Sequence, residues 1–169
     1  MGIFDFLNRS AKEILKECEV HRSRGSGPGG QKADRSETAV KLVHRPTGCT
    51  ASSEKTRSQH KNRQLALRKL KRNYSLEKRH KIPPDKFTMP SSLQQYVNNG
   101  LRIKTGNPHY PFLIKLVLDV LYSVDGRLSE ASDVLGVSTN QLVEFLKDEG
   151  AVHEWANKIR TRHGHHRLK

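Results

Sequence analysis

Hydrophobic and polar positions follow a sheet-like pattern early in the chain and a helical pattern later. A capping-box pattern at Ser10–Glu13, followed by apolar residues at helical spacing, predicts a short helix over about 10–18. β-rich stretches at 19–24, 38–43 and 49–54 predict strands, with Pro46–Gly48 as the turn before the last one. A second capping-box pattern at Thr56–Gln59 predicts a helix to about Tyr74 or beyond, with an apolar face formed by Ala66, Leu70 and Tyr74.

A proline-rich break at Ile82–Asp85 ends this helical pattern, and the segment 83–109 predicts a linker with little regular structure. A second module begins near Tyr110 with an apolar stripe at helical spacing, formed by Phe112, Leu113, Leu116, Val117, Val120 and Leu121. Residues 128–142 then resemble a helix-turn-helix, in which Gly136 lies at the turn and Ser138 with Gln141 caps the second helix.

These elements predict an α+β protein, in which a small antiparallel sheet with one packed long helix is followed by a linker and a small all-α module. We expect a domain over 1–82, a linker over 83–109, a trihelical helix-turn-helix-like module over 110–157 and a basic tail over 158–169. A hydrophobic content of 34% is enough for modest cores, with long polar segments left over.

The chain is strongly basic, and its charge is unevenly distributed. The net charge is +14, and residues 1–90 contribute +12 of it, with 21 Lys and Arg against nine Asp and Glu. Segment 55–86 is the most basic, with twelve basic residues against two acidic ones. A solvated helix face is the commoner explanation of a charge run, but so one-sided a density favours contact with RNA phosphates. The candidate RNA-binding residues here are Arg57, Lys61, Arg63, Arg68, Lys69, Lys71 and Arg72.

No apolar run approaches the length of about 18 residues that a membrane span needs, so we expect no membrane association. The N-terminus lacks the layout of a signal peptide. Cys18 and Cys49 are most simply buried or idle thiols in a reducing compartment.

A glycine-rich stretch, Gly25–Gln31, lies between the first two predicted strands. Its four glycines and one proline exclude a helix or a central strand at these positions. Its exposed backbone N–H groups suit close approach to a polyanion or to developing negative charge, and the flanking basic residues add to this: Arg22, Arg24, Lys32 and Arg35. The glycine spacing also fits the dinucleotide-binding motif. That motif needs a full helix after the glycines and an acidic residue about 20 positions later, and the sequence predicts neither. A plain structural loop is the remaining alternative.

The blocks in and around this loop resemble the catalytic domain of class I peptide chain release factors. They are Gly25–Gln31, Ser36–Val40, His44–Gly48 and Thr56–Arg63, and the resemblance covers about residues 19–75. It is closest to the short, codon-independent relatives that rescue stalled ribosomes. Asp34 and Arg35 depart from the family pattern, which usually has a neutral asparagine near the first and lysine or threonine near the second.

The resemblance implies hydrolysis of the ester that joins peptide to tRNA, with Gly29, Gly30 and Gln31 as the catalytic residues and with no metal or cofactor. The two glycines would adopt main-chain angles closed to other residues. The backbone N–H of Gln31 would donate to the oxyanion or to the departing hydroxyl, and its side chain would position the attacking water. The Asp34 carboxylate would weaken docking into RNA unless Arg35 neutralises it.

The function that the resemblance implies is a translation release or rescue factor, and we expect it to be codon-independent because so short a chain has no separate codon-reading domain. The expected partners are the large-subunit rRNA of the ribosome and peptidyl-tRNA. A monomer in the bacterial cytosol or an organelle matrix is expected, and methylation of Gln31 by a glutamine methyltransferase is left open. Two other functions remain open: a catalytically weakened factor that binds the ribosome, and a DNA-binding regulator.

Charge argues against DNA binding by the second module. Residues 115–154 carry three basic residues against eight acidic ones, a balance of −5, whereas a reader of duplex DNA needs the opposite sign. We therefore expect a protein-contact or spacer module. The tail is basic again through Lys158, Arg160 and Arg162, and it contains a cluster of histidines without zinc-type partner spacing. We expect a flexible tail that contacts RNA.

Overall fold

The structure is a computed structural model that describes residues 2–24 and 37–169. These residues form two compact units. One is Asp5–Tyr74, called the hairpin unit here, and the other is Ser75–Lys169 with residues 2–4, called the helical unit. In the described residues there are a three-stranded antiparallel sheet and eight α-helices, which confirms the predicted α+β class.

The hairpin unit begins with two short helices, α1 (Asp5–Asn8) and α2 (Ala11–Lys16). The capping box predicted for α2 is confirmed: Glu13 N donates to Ser10 Oγ at 3.3 Å, and Ser10 N donates to Glu13 Oε2 at 2.8 Å. The helix ends at Lys16, earlier than predicted, because Cys18 already pairs with His44 in the sheet.

The sheet consists of β1 (Cys18–Ser23), β2 (Ala39–His44) and β3 (Thr50–Ser53) in the order β1-β2-β3. All three predicted strands are therefore confirmed to within a residue or two at each end. Leu42 and Ala51 are register partners and are both buried, whereas β1 is an edge strand whose Val20 remains 39% exposed. Along β2 the side chains of Val40, Leu42 and His44 are buried, whereas Lys41 between them is exposed. This alternation is expected for a sheet that is covered on one side.

The turn between β2 and β3 is fixed by a polar network. His44 is 1% exposed, and its ring nitrogens lie 2.8 Å from Glu17 Oε2 and 2.7 Å from Thr47 Oγ1. Gly48 has φ 71, the left-handed conformation that a side chain disfavours. The Arg9 guanidinium and then His44 hold the pKa of Glu17 down to about 2. The His44–Gly48 block thus has a structural role in joining α2 to the turn.

Helix α3 (Gln59–Glu77) bonds to β3 through Lys69 and Asn73, whose side chains donate to Ser52 O and Thr50 O. It begins later than the predicted capping box at Thr56–Gln59, so that prediction is wrong. Ser58 is the residue that caps the helix, since its Oγ accepts from Lys61 N at 3.3 Å. Thr56 Oγ1 instead accepts from Ser58 N at 3.1 Å, which stabilises the turn before the helix.

The predicted apolar face of α3 is confirmed: Ala66 and Leu70 are 0% exposed and Tyr74 is 4% exposed. Tyr74 stacks at 4.2 Å between ring centroids on Phe6 of α1. Asn73 Nδ2 donates to Thr50 O at 2.8 Å, which ties the helix to β3.

The helical unit contains α4 (Ser91–Asn98), α5 (Tyr110–Ser123), α6 (Leu128–Leu135), α7 (Thr139–Asp148) and α8 (Gly150–Arg162). Helix α5 is central and is buried on nearly all sides. The predicted helix-turn-helix features are confirmed, since Gly136 has φ 73 between α6 and α7 and Ser138 forms a capping box with Gln141.

Two expectations about this unit are corrected. Residues 83–109 contain a 3₁₀ turn at Pro84–Lys86 and α4, whose Leu93 and Val97 belong to the core because they lie one turn apart on one face. The expected trihelical module has a fourth helix, α8, which includes Lys158.

The chain end after α8 is held against the unit, contrary to the expected flexible tail. Leu168 N donates to Oδ1 of the buried Asn157 at 2.7 Å, and His165 Nε2 lies 2.9 Å from Asp125 O. Leu168 also packs against the core. Among the described helices, none is long and apolar enough to cross a membrane.

Candidate functional site

The predicted catalytic residues Gly29, Gly30 and Gln31 lie outside the described residues, as do Lys32 and Arg35. What the structure describes is the root of the segment that contains them. Ser23 at the end of β1 is the register partner of Ala39 at the start of β2. The chain therefore leaves the sheet and returns to it at neighbouring positions, about 5 Å apart in an antiparallel pair. Two candidate RNA-binding residues, Arg22 and Arg24, lie beside this root and are exposed.

The returning strand is anchored to the start of α3. The side chain of Asn62, which is 0% exposed, donates to Thr38 O at 2.7 Å and to Thr56 O at 2.8 Å. Gln59 Nε2 donates to Glu37 O at 3.2 Å. The first turn of α3 is thus fixed to the two residues that follow the undescribed segment.

Three cations form a basic ridge along α3, defined here as Lys61, Arg68 and Arg72. At about 100° per residue, these positions lie within about 40° of one another and opposite the buried face of the helix. Lys61 and Arg68 are exposed and Arg72 is half-buried. The first turn of α3 has no acidic residue, so no carboxylate on that turn lies beside Lys61. Arg57, just before the helix, is also exposed.

Other predicted RNA-binding residues of α3 bond to the protein itself. Lys71 Nζ donates to Leu7 O at 3.0 Å and to Arg9 O at 3.1 Å, and burial lowers the pKa of its ammonium. Lys69 Nζ donates to Ser52 O at 3.0 Å. Arg63 differs from these two residues: it is half-buried, and its buried Nε has no hydrogen-bond partner among the residues that the structure describes. Lys71 in particular supports the fold.

The predicted basic residues near the C-terminus belong to the helical unit and differ in their surroundings. Arg160 donates from Nη1 to Gly126 O at 2.6 Å and from Nε to His166 O at 3.2 Å, and burial lowers its pKa. Lys158 Nζ lies 4.1 Å from the ring centroid of Trp155, a cation–π contact. Arg162 is exposed at the end of α8.

The buried polar groups of the helical unit were missed by the sequence analysis. Lys115 and Asp119 are both 0% exposed and form an ion pair at 2.8 Å, and Arg79 Nη1 lies 2.9 Å from the same carboxylate. Burial lowers the pKa of Lys115 to about 8 and raises that of Asp119. The signal in the sequence was an i, i+4 pair of opposite charges inside an otherwise apolar stripe.

Asn62 was also missed, although a polar residue one turn before Ala66 on the predicted apolar face was a visible signal. As for metals, no group of three or more histidine, cysteine or acidic side chains in the described ranges is arranged to hold an ion. Two of the C-terminal histidines instead bond to protein groups: His163 Nδ1 lies 3.0 Å from Ile159 O, and His165 Nε2 lies 2.9 Å from Asp125 O.

Comparison with known proteins identifies the family. The RF-1 domain matches residues 11–109. The chain is 46% identical over 76 residues to "Peptide chain release factor RF2" of Thermus thermophilus, a match that covers 43% of this chain and 20% of the relative. It is 38% identical over 93 residues to "Peptide chain release factor 1" of Anaplasma marginale, covering 54% and 26%. It is 44% identical over 62 residues to "Peptide chain release factor 1-like, mitochondrial" of Rattus norvegicus, covering 36% and 17%.

The matched part of the chain thus spans only 17% to 26% of the length of these relatives. No solved structure gives a significant match. The RF-1 domain match extends over the whole sheet, helix α3 and the root of the glycine-rich segment, more than half of the chain. The chain therefore belongs to the RF-1 domain family, the catalytic-domain family of class I peptide chain release factors.

Proposed function

We propose that this chain promotes hydrolysis of the ester between peptide and tRNA on the ribosome, and that it does not require a codon in the decoding site. The observation that carries the proposal is the Gly29-Gly30-Gln31 motif inside the RF-1 domain match. Two described features support it: the root of that segment is held by α3, and the same helix presents the basic ridge. A helix that both binds RNA and anchors the loop would deliver the motif to the peptidyl transferase centre.

In this mechanism the backbone N–H of Gln31 donates to the oxyanion or to the departing hydroxyl of the tRNA, and the Gln31 side chain orients the attacking water. Loss of one preorganised donor of this kind costs about 3 kcal/mol of transition-state stabilisation. Gly29 and Gly30 give the backbone the freedom to present that donor. The ribosome supplies the surrounding site, and no metal or cofactor takes part.

The partners that follow are large-subunit rRNA, contacted by the basic ridge with Arg22, Arg24 and Arg57, and peptidyl-tRNA. The protein acts as a monomer wherever its ribosomes are, in a bacterial cytosol or an organelle matrix. The helical unit serves as a protein-contact or spacer module, because α7 exposes Glu144 and Asp148, which repel nucleic acid.

Codon independence is supported by the charge of the residues that follow the RF-1 domain match. The residues that follow the match form helices, and residues 115–154 among them carry three basic residues against eight acidic ones, a balance that does not suit contact with mRNA.

The test is peptide release from purified ribosomes that hold labelled peptidyl-tRNA, with a stop codon, a sense codon or no codon in the decoding site. We expect release without a codon to be at least as fast as release on a stop codon. Gly30→Ala is expected to abolish release and to leave ribosome affinity within a few-fold, because the added Cβ restricts only the loop backbone. Release that requires a stop codon contradicts the rescue function, and parental release by Gly30→Ala contradicts the catalytic assignment.

A catalytically weakened ribosome-binding factor is the second candidate, and Asp34 favours it. A carboxylate three residues after Gln31 opposes docking into RNA. This function predicts tight ribosome binding with little release, and faster release by Asp34→Asn. The release assay above therefore distinguishes the two candidates directly.

A further inference from the structure

Asn62 in the first turn of α3 uses both amide N–H donors and its carbonyl oxygen in hydrogen bonds. Nδ2 donates to Thr38 O at 2.7 Å and to Thr56 O at 2.8 Å. Oδ1 accepts from Thr56 N and lies within reach of Thr56 Oγ1, both at 3.0 Å. The amide orientation is fixed by these partners, because its nitrogen faces two carbonyl oxygens and its oxygen faces an N–H.

The two segments that Asn62 joins are far apart along the chain. Thr38 connects the segment that contains the Gly-Gly-Gln motif to β2, and Thr56 lies in the turn that leads into α3. The neighbouring bond from Gln59 Nε2 to Glu37 O, at 3.2 Å, holds the preceding carbonyl from the same helical turn. Two successive carbonyl groups at the C-terminal root of the segment are thus held by α3.

We propose that Asn62 is a positioning residue for peptide release, an inference that rests on the proposed function. It acts through Thr38: it fixes the root of the segment bearing Gly29–Gln31 to the helix that carries the basic ridge. Contacts between the ridge and RNA then also define where that root lies relative to the substrate. Displacement of a reacting group by about 1 Å costs on the order of a hundredfold in rate, so a fixed root affects the rate of the chemical step.

A purely structural asparagine provides the contrast, and the same helix offers one. Asn73 Nδ2 donates to Thr50 O at 2.8 Å, a bond of the same kind between α3 and the sheet. Thr50 lies at the start of β3, away from the root formed by Ser23 and Ala39. Loss of the Asn73 bond is expected to lower stability and to leave the rate of release unchanged.

The experiment compares four single variants of the full chain: Asn62→Ala, Gln59→Ala, Asn73→Ala and Gln64→Ala. Release rates are measured over a range of protein concentrations, well below every thermal midpoint, so that kcat and KM are separated. Asn62→Ala is expected to lower kcat on the order of a hundredfold with KM within a few-fold. Gln59→Ala removes one partly exposed bond and is expected to lower kcat at most about tenfold without changing the Tm.

The controls are expected to behave differently: Asn73→Ala lowers the Tm alone, and Gln64→Ala, an exposed position on the same helix, changes neither quantity. Parental kcat in folded Asn62→Ala overturns the inference, and so does an equal loss of kcat in Asn73→Ala. If Asn62→Ala does not fold, Gln59→Ala decides: a reduced kcat supports the inference and a parental kcat overturns it. A parent chain that releases no peptide overturns the proposed function and this inference together, whereas an active parent with unaffected variants overturns only the inference.

Discussion

The basic ridge of α3 leads to a quantitative prediction about ribosome binding. We consider the triple substitution Lys61→Gln, Arg68→Gln and Arg72→Gln, which removes three positive charges and keeps residues of good helix propensity. Lys71 is deliberately left unchanged, because its ammonium bonds to the carbonyl groups of Leu7 and Arg9. Its loss would weaken the fold and confuse the measurement.

The magnitude follows from counterion release. Each lost phosphate contact lowers the slope of log K against log salt concentration by about 0.7–0.9, so three contacts lower it by about 2–3. Between 50 and 200 mM salt, the loss of affinity is then about 20- to 40-fold smaller for the variant than for the parent. We expect this change in slope only when these three positions, opposite the buried face of the helix, are substituted.

The assay is binding of labelled protein to purified ribosomes across this range of salt, with thermal unfolding measured for every variant. The matched control is Lys86→Gln, Lys104→Gln and Lys147→Gln, which changes the net charge equally at exposed positions of the helical unit. We expect the control to keep the parental slope. A ridge variant with the parental slope, or a control that loses as much slope as the ridge variant, refutes the assignment of the ridge to RNA.

Three further predictions concern stability. Asp119→Ala is expected to destabilise the helical unit by about 3–5 kcal/mol in chemical unfolding, because it leaves Lys115 buried without its carboxylate; a loss below about 1 kcal/mol contradicts this. Since the pKa of Glu17 is lowered to about 2, its contribution is present above the unfolded value near 4.5 and is lost as pH falls toward 2. The Tm of the parent should therefore fall more steeply than that of Glu17→Gln over that pH range, and parallel curves contradict it. Deletion of 163–169 is expected to cost about 1–3 kcal/mol, because the buried Asn157 loses a partner, and an unchanged Tm shows that the segment is dispensable.

Much of the local structure followed from sequence because it depends on near neighbours. The capping boxes at Ser10 and Ser138 and the left-handed Gly136 were predictable, since each involves residues within about one helical turn. The buried face of α3 followed from the spacing of Ala66, Leu70 and Tyr74. The family was also recognisable from the order of its motif blocks, including the Gly-Gly-Gln sequence itself.

The cap of α3 and the segment 83–109 show where local patterns were insufficient. Thr56 and Ser58 are both good caps, and the choice between them was decided by the Asn62 side chain, which holds Thr56 outside the helix. Helix α4 is short and follows several prolines, so its local signal was weak. Burial of Leu93 and Val97 in the core of the helical unit stabilises it, and that core exists only after folding.

The tertiary structure also decided which cations are available. Along the sequence Arg68 and Lys71 are members of the same basic run, but Lys71 bonds to carbonyl groups more than 60 residues away and Arg68 is exposed on the ridge. The same holds for Arg160, whose guanidinium bonds to Gly126 O from the segment expected to be a free tail. Sequence determined the amount and the sign of the charge. The packing of distant segments determined which charges remain at the surface, because a buried donor must find an acceptor wherever the fold provides one.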